Sequence, residues 1–250
     1  MTVSAQNLSV SYGRSTIVHS LSFGPLEGGT VVGLIGPNAA GKSTLVKAIA
    51  GIKKPTAGSV TISKGGAELT GRDRVEAIGY VPQDLLSSAT LTAFESVMVS
   101  ARRRGVDRWD PLERTADVMD RLGITHLSDR LVSDMSGGQR QLVAVAQMLV
   151  REPSVMLLDE PTSALDLRHQ VELLQLICDE VRGTDRVALV AIHDLNLAAR
   201  YCDELLVLKS GRLVGQDTPH AVLTPDLLED VYGFRARVLD DAGVPVVCPV

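Results

Sequence analysis

Apolar and polar positions follow two rhythms along this chain. Leu8, Val10 and Tyr12 alternate with polar neighbours, and Val18-His19-Ser20-Leu21-Ser22-Phe23 continues the period of two. That alternation predicts strands, because successive strand side chains point to opposite faces. Three other runs are apolar without a break: Val31 to Ile35, Val155 to Leu158, and Val187 to Ile192. Short unbroken runs predict strands buried on both faces. The second rhythm is helical. Ser43 to Ala50 reads as a helix with Gly51 placed to end it. Val171, Leu174, Ile177, Cys178 and Val181 recur at helical spacing. Leu205 to Leu208 and Arg212 to Val214 flank Lys209-Ser210-Gly211 as a hairpin, and Thr224-Pro225 opens a helix with proline in its first position. Strands alternating with helices predict an α/β fold with a largely parallel sheet.

From about residue 85 the pattern turns helical. Thr92-Ala93-Phe94-Glu95 is a capping box that predicts a helix start. Arg102-Arg103-Arg104-Gly105 closes that helix with cations near its C-terminus. Asp110-Pro111 opens another, through Met119 and Leu122 to Gly123, and Ser136 opens a third that stops at Arg151, before Pro153. These predict a helical subdomain, about 85–151, inserted in a strand-rich core. The main domain is expected to run over 1–233. The remainder, 234–250, is expected as a short extension, a hairpin around Asp240-Asp241-Ala242-Gly243.

Composition narrows the function classes. Hydrophobic content of 45% in 250 residues supports a sizeable core, and a net charge of -5 leaves no basic footprint for nucleic acid. The N-terminus lacks a basic region followed by an apolar stretch, so no signal peptide is expected. No apolar run approaches the roughly 18–20 residues that span a bilayer. Any membrane role is therefore expected to come through a partner. Cys178, Cys202 and Cys248 are widely spaced and form no zinc pattern, so reduced thiols are expected.

Gly36-Pro37-Asn38-Ala39-Ala40-Gly41-Lys42-Ser43 has the form of a phosphate-binding loop, placed between a buried strand and a helix. Backbone N–H groups of Ala40 to Thr44 can face the β- and γ-phosphates of a nucleotide at the helix N-terminus. Lys42 supplies a point charge to those phosphates and Ser43 a hydroxyl to Mg²⁺. Asp159-Glu160 ends a buried strand, the end at which open α/β sheets bind ligands. There Asp159 can hold Mg²⁺, and Glu160 can take a proton from an attacking water. Ser136-Gly137-Gly138-Gln139 is a second helix N-terminus with two glycines, open to close approach by an anion. It can serve the γ-phosphate of an ATP held by another protomer.

With these motifs the chain resembles subunits of the ATP-binding cassette (ABC) ATPase family over nearly its full length. The resemblance implies a P-loop ATPase fold with a RecA-like parallel core, an N-terminal antiparallel β subdomain and the inserted helical subdomain. It makes Gly36 to Ser43 the Walker A motif, Val155 to Asp159 the Walker B motif and Glu160 the catalytic carboxylate. Gly36, Asn38, Ala39, Ala40, Gly41, Lys42, Ser43 and Thr44 would contact ATP. Met135-Ser136-Gly137-Gly138-Gln139 matches the signature. Tyr12 matches the aromatic that stacks on adenine. Gln83, in Tyr80-Val81-Pro82-Gln83-Asp84, matches the Q-loop glutamine, with a catalytic role and a place beside Ser43 and Asp159 as Mg²⁺ ligand. Ser163-Ala164-Leu165-Asp166 matches the D-loop, and His193 the switch histidine at the γ-phosphate. Two positions depart from the family: Ala39 stands where glycine is usual, and Met135 where leucine is. Methionine for leucine is nearly isosteric, and alanine at 39 implies that the position needs no positive φ.

The resemblance further implies two copies binding two ATP and Mg²⁺ head-to-tail, each ATP between Lys42 of one chain and Ser136 and Gly138 of the other. One cassette without a fused membrane domain fits a peripheral importer subunit on the cytoplasmic face of the membrane. Its partners would be polytopic permease subunits and, indirectly, a substrate-binding protein. The stretches 165–174, 193–200 and 215–233 are similar to importers of iron–siderophore, haem and cobalamin complexes, with siderophore the first expectation. The alternative is a soluble ABC ATPase of iron–sulfur cluster assembly. Exposed apolar surface around 84–100 discriminates in favour of the importer. An unrelated P-loop kinase or switch protein is disfavoured by Ser136 to Gln139 and His193. His169 and the Arg102 to Arg104 run read as solvated helix faces.

Overall fold

The computed structural model describes residues 1–85, 90–102 and 110–250. The chain begins with two long strands, β1 (Thr2–Tyr12) and β2 (Ser15–Glu27), paired antiparallel. Then come β3 (Val31–Ile35), α1 (Lys42–Ile49), β4 (Ala57–Lys64), β5 (Ala67–Glu68), α2 (Gly71–Ala77) and β6 (Ile78–Val81). The helical stretch holds α3 (Ala93–Ala101), α4 (Pro111–Arg121) and α5 (Gly137–Leu149). After it follow β7 (Val155–Asp159), α6 (Leu167–Val181), β8 (Val187–Ala191), α7 (Leu195–Tyr201), β9 (Glu204–Lys209) and β10 (Arg212–Asp217). The chain closes with α8 (Pro219–Val222), α9 (Pro225–Tyr232), β11 (Ala236–Asp241) and β12 (Val244–Pro249).

Among the described residues, the central sheet has the order β10-β9-β3-β8-β7-β6. β9, β3, β8, β7 and β6 run parallel, and β10 returns antiparallel beside β9. The three unbroken apolar runs are its fully buried middle strands. Strand alternation splits their side chains between two cores. Val32, Leu34, Leu157, Leu189 and Ala191 face α1 and the β2-β1-β4-β5 sheet. Val31, Ile35, Met156, Leu158, Ala188 and Val190 face the core built with α5, α6 and α7. Each fully buried Val, Leu or Ile contributes about 1.5–3 kcal/mol of gross stabilisation. Lining up three such strands therefore fixes which strand ends meet.

The helix starts follow from local chemistry. Thr92 Oγ1 accepts from Glu95 N (3.2 Å) while Thr92 N donates to Glu95 Oε2 (2.9 Å), the expected capping box of α3. Asp110 caps α4, with Pro111 in the first turn, and Gly123 follows it at φ +67°. Of the run expected to close α3, Arg102 is the residue after the helix, and 103–105 lie outside the described residues. The helical segment is bolted to the core through the buried Glu180 of α6, which receives both Arg121 of α4 and Arg186.

Residues 236–249 form the expected hairpin, turning through Ala242 (φ +53°) and Gly243 (φ +86°). It docks on α7. Val247 N donates to Asn196 Oδ1 (2.7 Å), Asn196 Nδ2 donates to Val247 O (3.3 Å), and Arg200 pairs with Asp241 at 2.7 Å.

Candidate functional site

The loop between β3 and α1 sits at the carboxyl end of the parallel strands. Ala40 N donates to Pro37 O (3.2 Å), closing a turn whose third residue, Ala39, has φ +62°. With positive φ at Ala39 and not at Asn38, the turn is of type II, whose third residue takes left-handed backbone. The expectation that position 39 needs none is therefore wrong: the turn's geometry dictates the conformation, and alanine adopts it under strain. Left-handed backbone costs a residue with a Cβ about 1–2 kcal/mol. Glycine would remove that cost but regain unfolded-state entropy worth about 0.4–1 kcal/mol. Ala39→Gly is thus expected to raise unfolding stability by about 0.5 kcal/mol, measured by urea denaturation. A loss of stability would show that the loop holds Ala39 without strain.

The turn of the β9–β10 hairpin backs the loop, with Gly211 N donating to Ala40 O at 2.9 Å. Lys42 opens α1 and is 5% exposed. Its Nζ donates to Gly36 O (2.8 Å) and Pro37 O (3.3 Å). Burial lowers its pKa, opposed by the nearby carboxylates of Glu160 and Asp159. The ammonium is therefore held inside its own loop, beside two acids, at the N-terminus of a helix.

Asp159 ends β7 with no exposed surface. Its Oδ1 accepts from Ser43 Oγ at 2.9 Å, and its Oδ2 is buried without a partner. Burial raises its pKa, countered first by the Ser43 hydrogen bond and then by Lys47. An unpartnered carboxylate oxygen beside a hydroxyl is a donor set of hard oxygens, and it fits a small divalent cation such as Mg²⁺.

Glu160 follows at φ +54° and is 8% exposed. Both its oxygens are engaged. Oε1 lies 2.5 Å from His193 Nε2, and Oε2 accepts from Gln83 Nε2 at 2.7 Å. The amide nitrogen of Gln83 is thus held by Glu160, while Ser43 and Asp159 face each other. A non-glycine residue in left-handed backbone at the end of a strand is strained, and such strain clusters at functional sites.

These residues line one open cleft of about 570 Å³, from Tyr12 and Ile17 through Asn38 to Thr44 and on to Gln83, Glu160 and His193. Gly36 and Asp159 join it through hydrogen bonds, Gly36 O accepting from Lys42 and Asp159 Oδ1 from Ser43. The remaining expected residues stand elsewhere. Ser136, Gly138, Gln139 and Asp166 line a separate and larger cavity of about 850 Å³, which no residue of the phosphate loop reaches. Gly138 is pressed against the D-loop: a Cβ there would stand 2.7 Å from Ala164 O. The two groups of expected residues therefore line separate cavities of the same chain.

Two features of the site escape a residue-by-residue reading. Gln139 Oε1 accepts from Ser136 N (3.0 Å) and from Arg130 Nη1 (3.3 Å), and Ser136 Oγ accepts from Gln139 N (3.3 Å). The Gln139 side chain is thus part of a capping box, legible in the Ser-x-x-Gln spacing. The second is Lys53, whose Nζ lies 4.2 Å from the centroid of the Tyr12 ring. Nothing in the local sequence announces that contact.

A strand–loop–helix phosphate cradle on a parallel sheet, with acids at the end of β7, one strand removed from β3 across β8, defines a P-loop ATPase. The chain belongs to the ABC transporter family, whose model matches residues 18–163. It is 34% identical to the ferric enterobactin transport ATP-binding protein of Escherichia coli (strain K12), over 98% of this chain and 93% of that protein. It is equally 34% identical to the hemin import ATP-binding protein of Photobacterium damselae subsp. damselae, over 94% of this chain and 90% of that one. Among solved structures it superposes on a transporter described as metal-chelate type, in an inward-facing conformation. The TM-score is 0.81 and the identity 25%, covering 100% of this chain and 96% of that one.

Proposed function

We propose that this chain binds and hydrolyses ATP as one of two copies beneath an importer of metal chelates, iron–siderophore first and haem or cobalamin next. The observation that carries the paired arrangement is the separation of the half-sites. Lys42, Ser43 and Glu160 line one cleft, with Asp159 hydrogen-bonded to Ser43 behind it, and Ser136 and Gly138 open on another. A γ-phosphate bound at the first needs a second chain to reach the second.

In this reading the Ala40 to Thr44 amides and Lys42 hold the β- and γ-phosphates. Tyr12 carries the adenine, and Ser43 and Asp159 hold Mg²⁺. The cation neutralises charge that develops on the phosphates. Glu160 accepts the proton of the attacking water once His193 or Gln83 releases one of its oxygens. Asp166 and Ser136 of the other copy complete the enclosure, and loss of the γ-phosphate removes the link between copies.

Among the described residues no helix is long and apolar enough to cross a membrane; in this reading permease subunits supply the path. A groove of about 490 Å³ supports their docking here. It is lined by Tyr80, Pro82, Asp84 and Leu85, which flank Gln83, and by side chains of α3 and α5. Nearby, Val99 is 57% exposed and Leu91 37%, the apolar surface that favours an importer over a soluble assembly ATPase. The names of the relatives support the substrate class. A tagged pull-down from detergent-solubilised native membranes tests the reading. Expected is a polytopic membrane subunit in equal stoichiometry, whose companion binding protein then names the chelate. Recovery of soluble assembly proteins alone would overturn the importer reading.

A further inference from the structure

We propose that Lys53 is a positioning residue for base recognition, its ammonium fixing the Tyr12 ring as the platform for the base of a purine nucleoside triphosphate. The proposal rests on the reading of Tyr12 as the adenine-stacking residue. Its basis is a contact between segments far apart in sequence. Tyr12 ends β1, is 46% exposed and forms one wall of the phosphate cleft. Lys53 Nζ stands 4.2 Å from the ring centroid, inside the distance at which a cation is attracted to an aromatic face. Lys53 does not itself line the cleft. An ammonium that covers one face of the ring from outside the cleft lining leaves the other face for a base in this proposal.

Three observations mark the contact as built. Among the described residues the Lys53 ammonium has no ion pair, so the ring is its partner. Its backbone is pinned to the nucleotide-binding helix: Ile52 N and Lys53 N both donate to Lys47 O, each at 3.0 Å. The segment just beyond is tied to β1, with Thr56 N donating to Ser9 O at 2.8 Å and Thr56 Oγ1 to the same carbonyl at 3.0 Å. Ring and ammonium are thus carried by two backbones locked to each other and to α1. Lys54, one residue on, is exposed and over no ring. A cation on one face draws π density from the other, where the electron-rich face of a purine then stacks more favourably. It also limits rocking of an otherwise half-exposed ring.

The test uses the full chain and four variants: Lys53→Met, Lys53→Arg, Tyr12→Ala, and Lys53→Met combined with Tyr12→Ala. Binding is titrated with Mg²⁺-ATP and with inorganic tripolyphosphate, which has phosphates and no base. Lys53→Met is expected to weaken ATP binding roughly two- to fivefold, with tripolyphosphate binding and kcat constant while KM rises. Lys53→Arg is expected to restore wild-type ATP affinity. Lys53→Met is expected to add nothing once Tyr12→Ala has removed the ring. Equal weakening toward ATP and tripolyphosphate would make Lys53 a general phosphate-attracting charge and overturn the proposal, as would unchanged ATP affinity in Lys53→Met. If Tyr12→Ala binds ATP normally, the stacking reading itself fails. If Tyr12→Ala weakens ATP and Lys53→Met does not, only the role of Lys53 fails.

Discussion

Replacing Glu160 by glutamine is expected to lower ATP turnover by about 10²–10⁴-fold while leaving ATP binding intact. The carboxylate is 8% exposed and held on both oxygens, by His193 at 2.5 Å and Gln83 at 2.7 Å. Glutamine has the same shape, so the strained backbone at φ +54° and the packing around it persist. One oxygen can still accept from His193. The new amide nitrogen then faces the Gln83 nitrogen, and a flip of the Gln83 amide turns its oxygen to meet it. What glutamine cannot do is take a proton from water. The phosphate-facing groups, Lys42 and the loop amides, are untouched, so the variant should bind ATP and stay paired. Steady-state phosphate release and gel filtration with Mg²⁺-ATP check both halves: slow turnover, and a dimer that persists with nucleotide. Near-normal turnover would remove Glu160 from its assigned role.

How much of this site was legible in advance depends on the span of the interaction. The phosphate loop reads from sequence because its parts are adjacent: buried strand, glycines, lysine, helix. The capping box of α3 likewise closes within three residues. The clamp on Glu160 does not read, because Gln83 lies 77 positions away and meets it only when β6 and β7 pair. Lys53 over Tyr12 is invisible for the same reason. Ala39 shows a different limit. Alanine is tolerated in left-handed backbone at modest cost, so residue identity misreports φ there, and the turn hydrogen bond decides it. The C-terminal hairpin was announced by Asp-Asp-Ala-Gly, but its docking on Asn196 depends on a contact 51 residues distant.

The separation of the half-sites leads to the second large effect. Gly138→Asp is expected to abolish hydrolysis, by more than about 10²-fold, the scale on which removal of an anion-stabilising donor acts. A Cβ at 138 would stand 2.7 Å from Ala164 O and 3.1 Å from Leu165 Cδ2, so the D-loop must shift. The carboxylate also places negative charge at the helix N-terminus proposed to receive a phosphate. Lys42 and the phosphate-loop amides lie apart from both changes, while the shifted D-loop reaches the same cleft only through Ser163, whose N and Oγ donate to Glu160 O at 3.3 and 3.0 Å. The variant should therefore bind ATP with near wild-type affinity and still fail to hydrolyse it. Combined with Glu160→Gln, it should stay monomeric in gel filtration with Mg²⁺-ATP, where Glu160→Gln alone forms dimers. A site complete within one chain predicts the reverse, hydrolysis by Gly138→Asp at an undiminished rate. The two substitutions thus separate an expected loss of chemistry, at Glu160, from an expected loss of assembly, at Gly138.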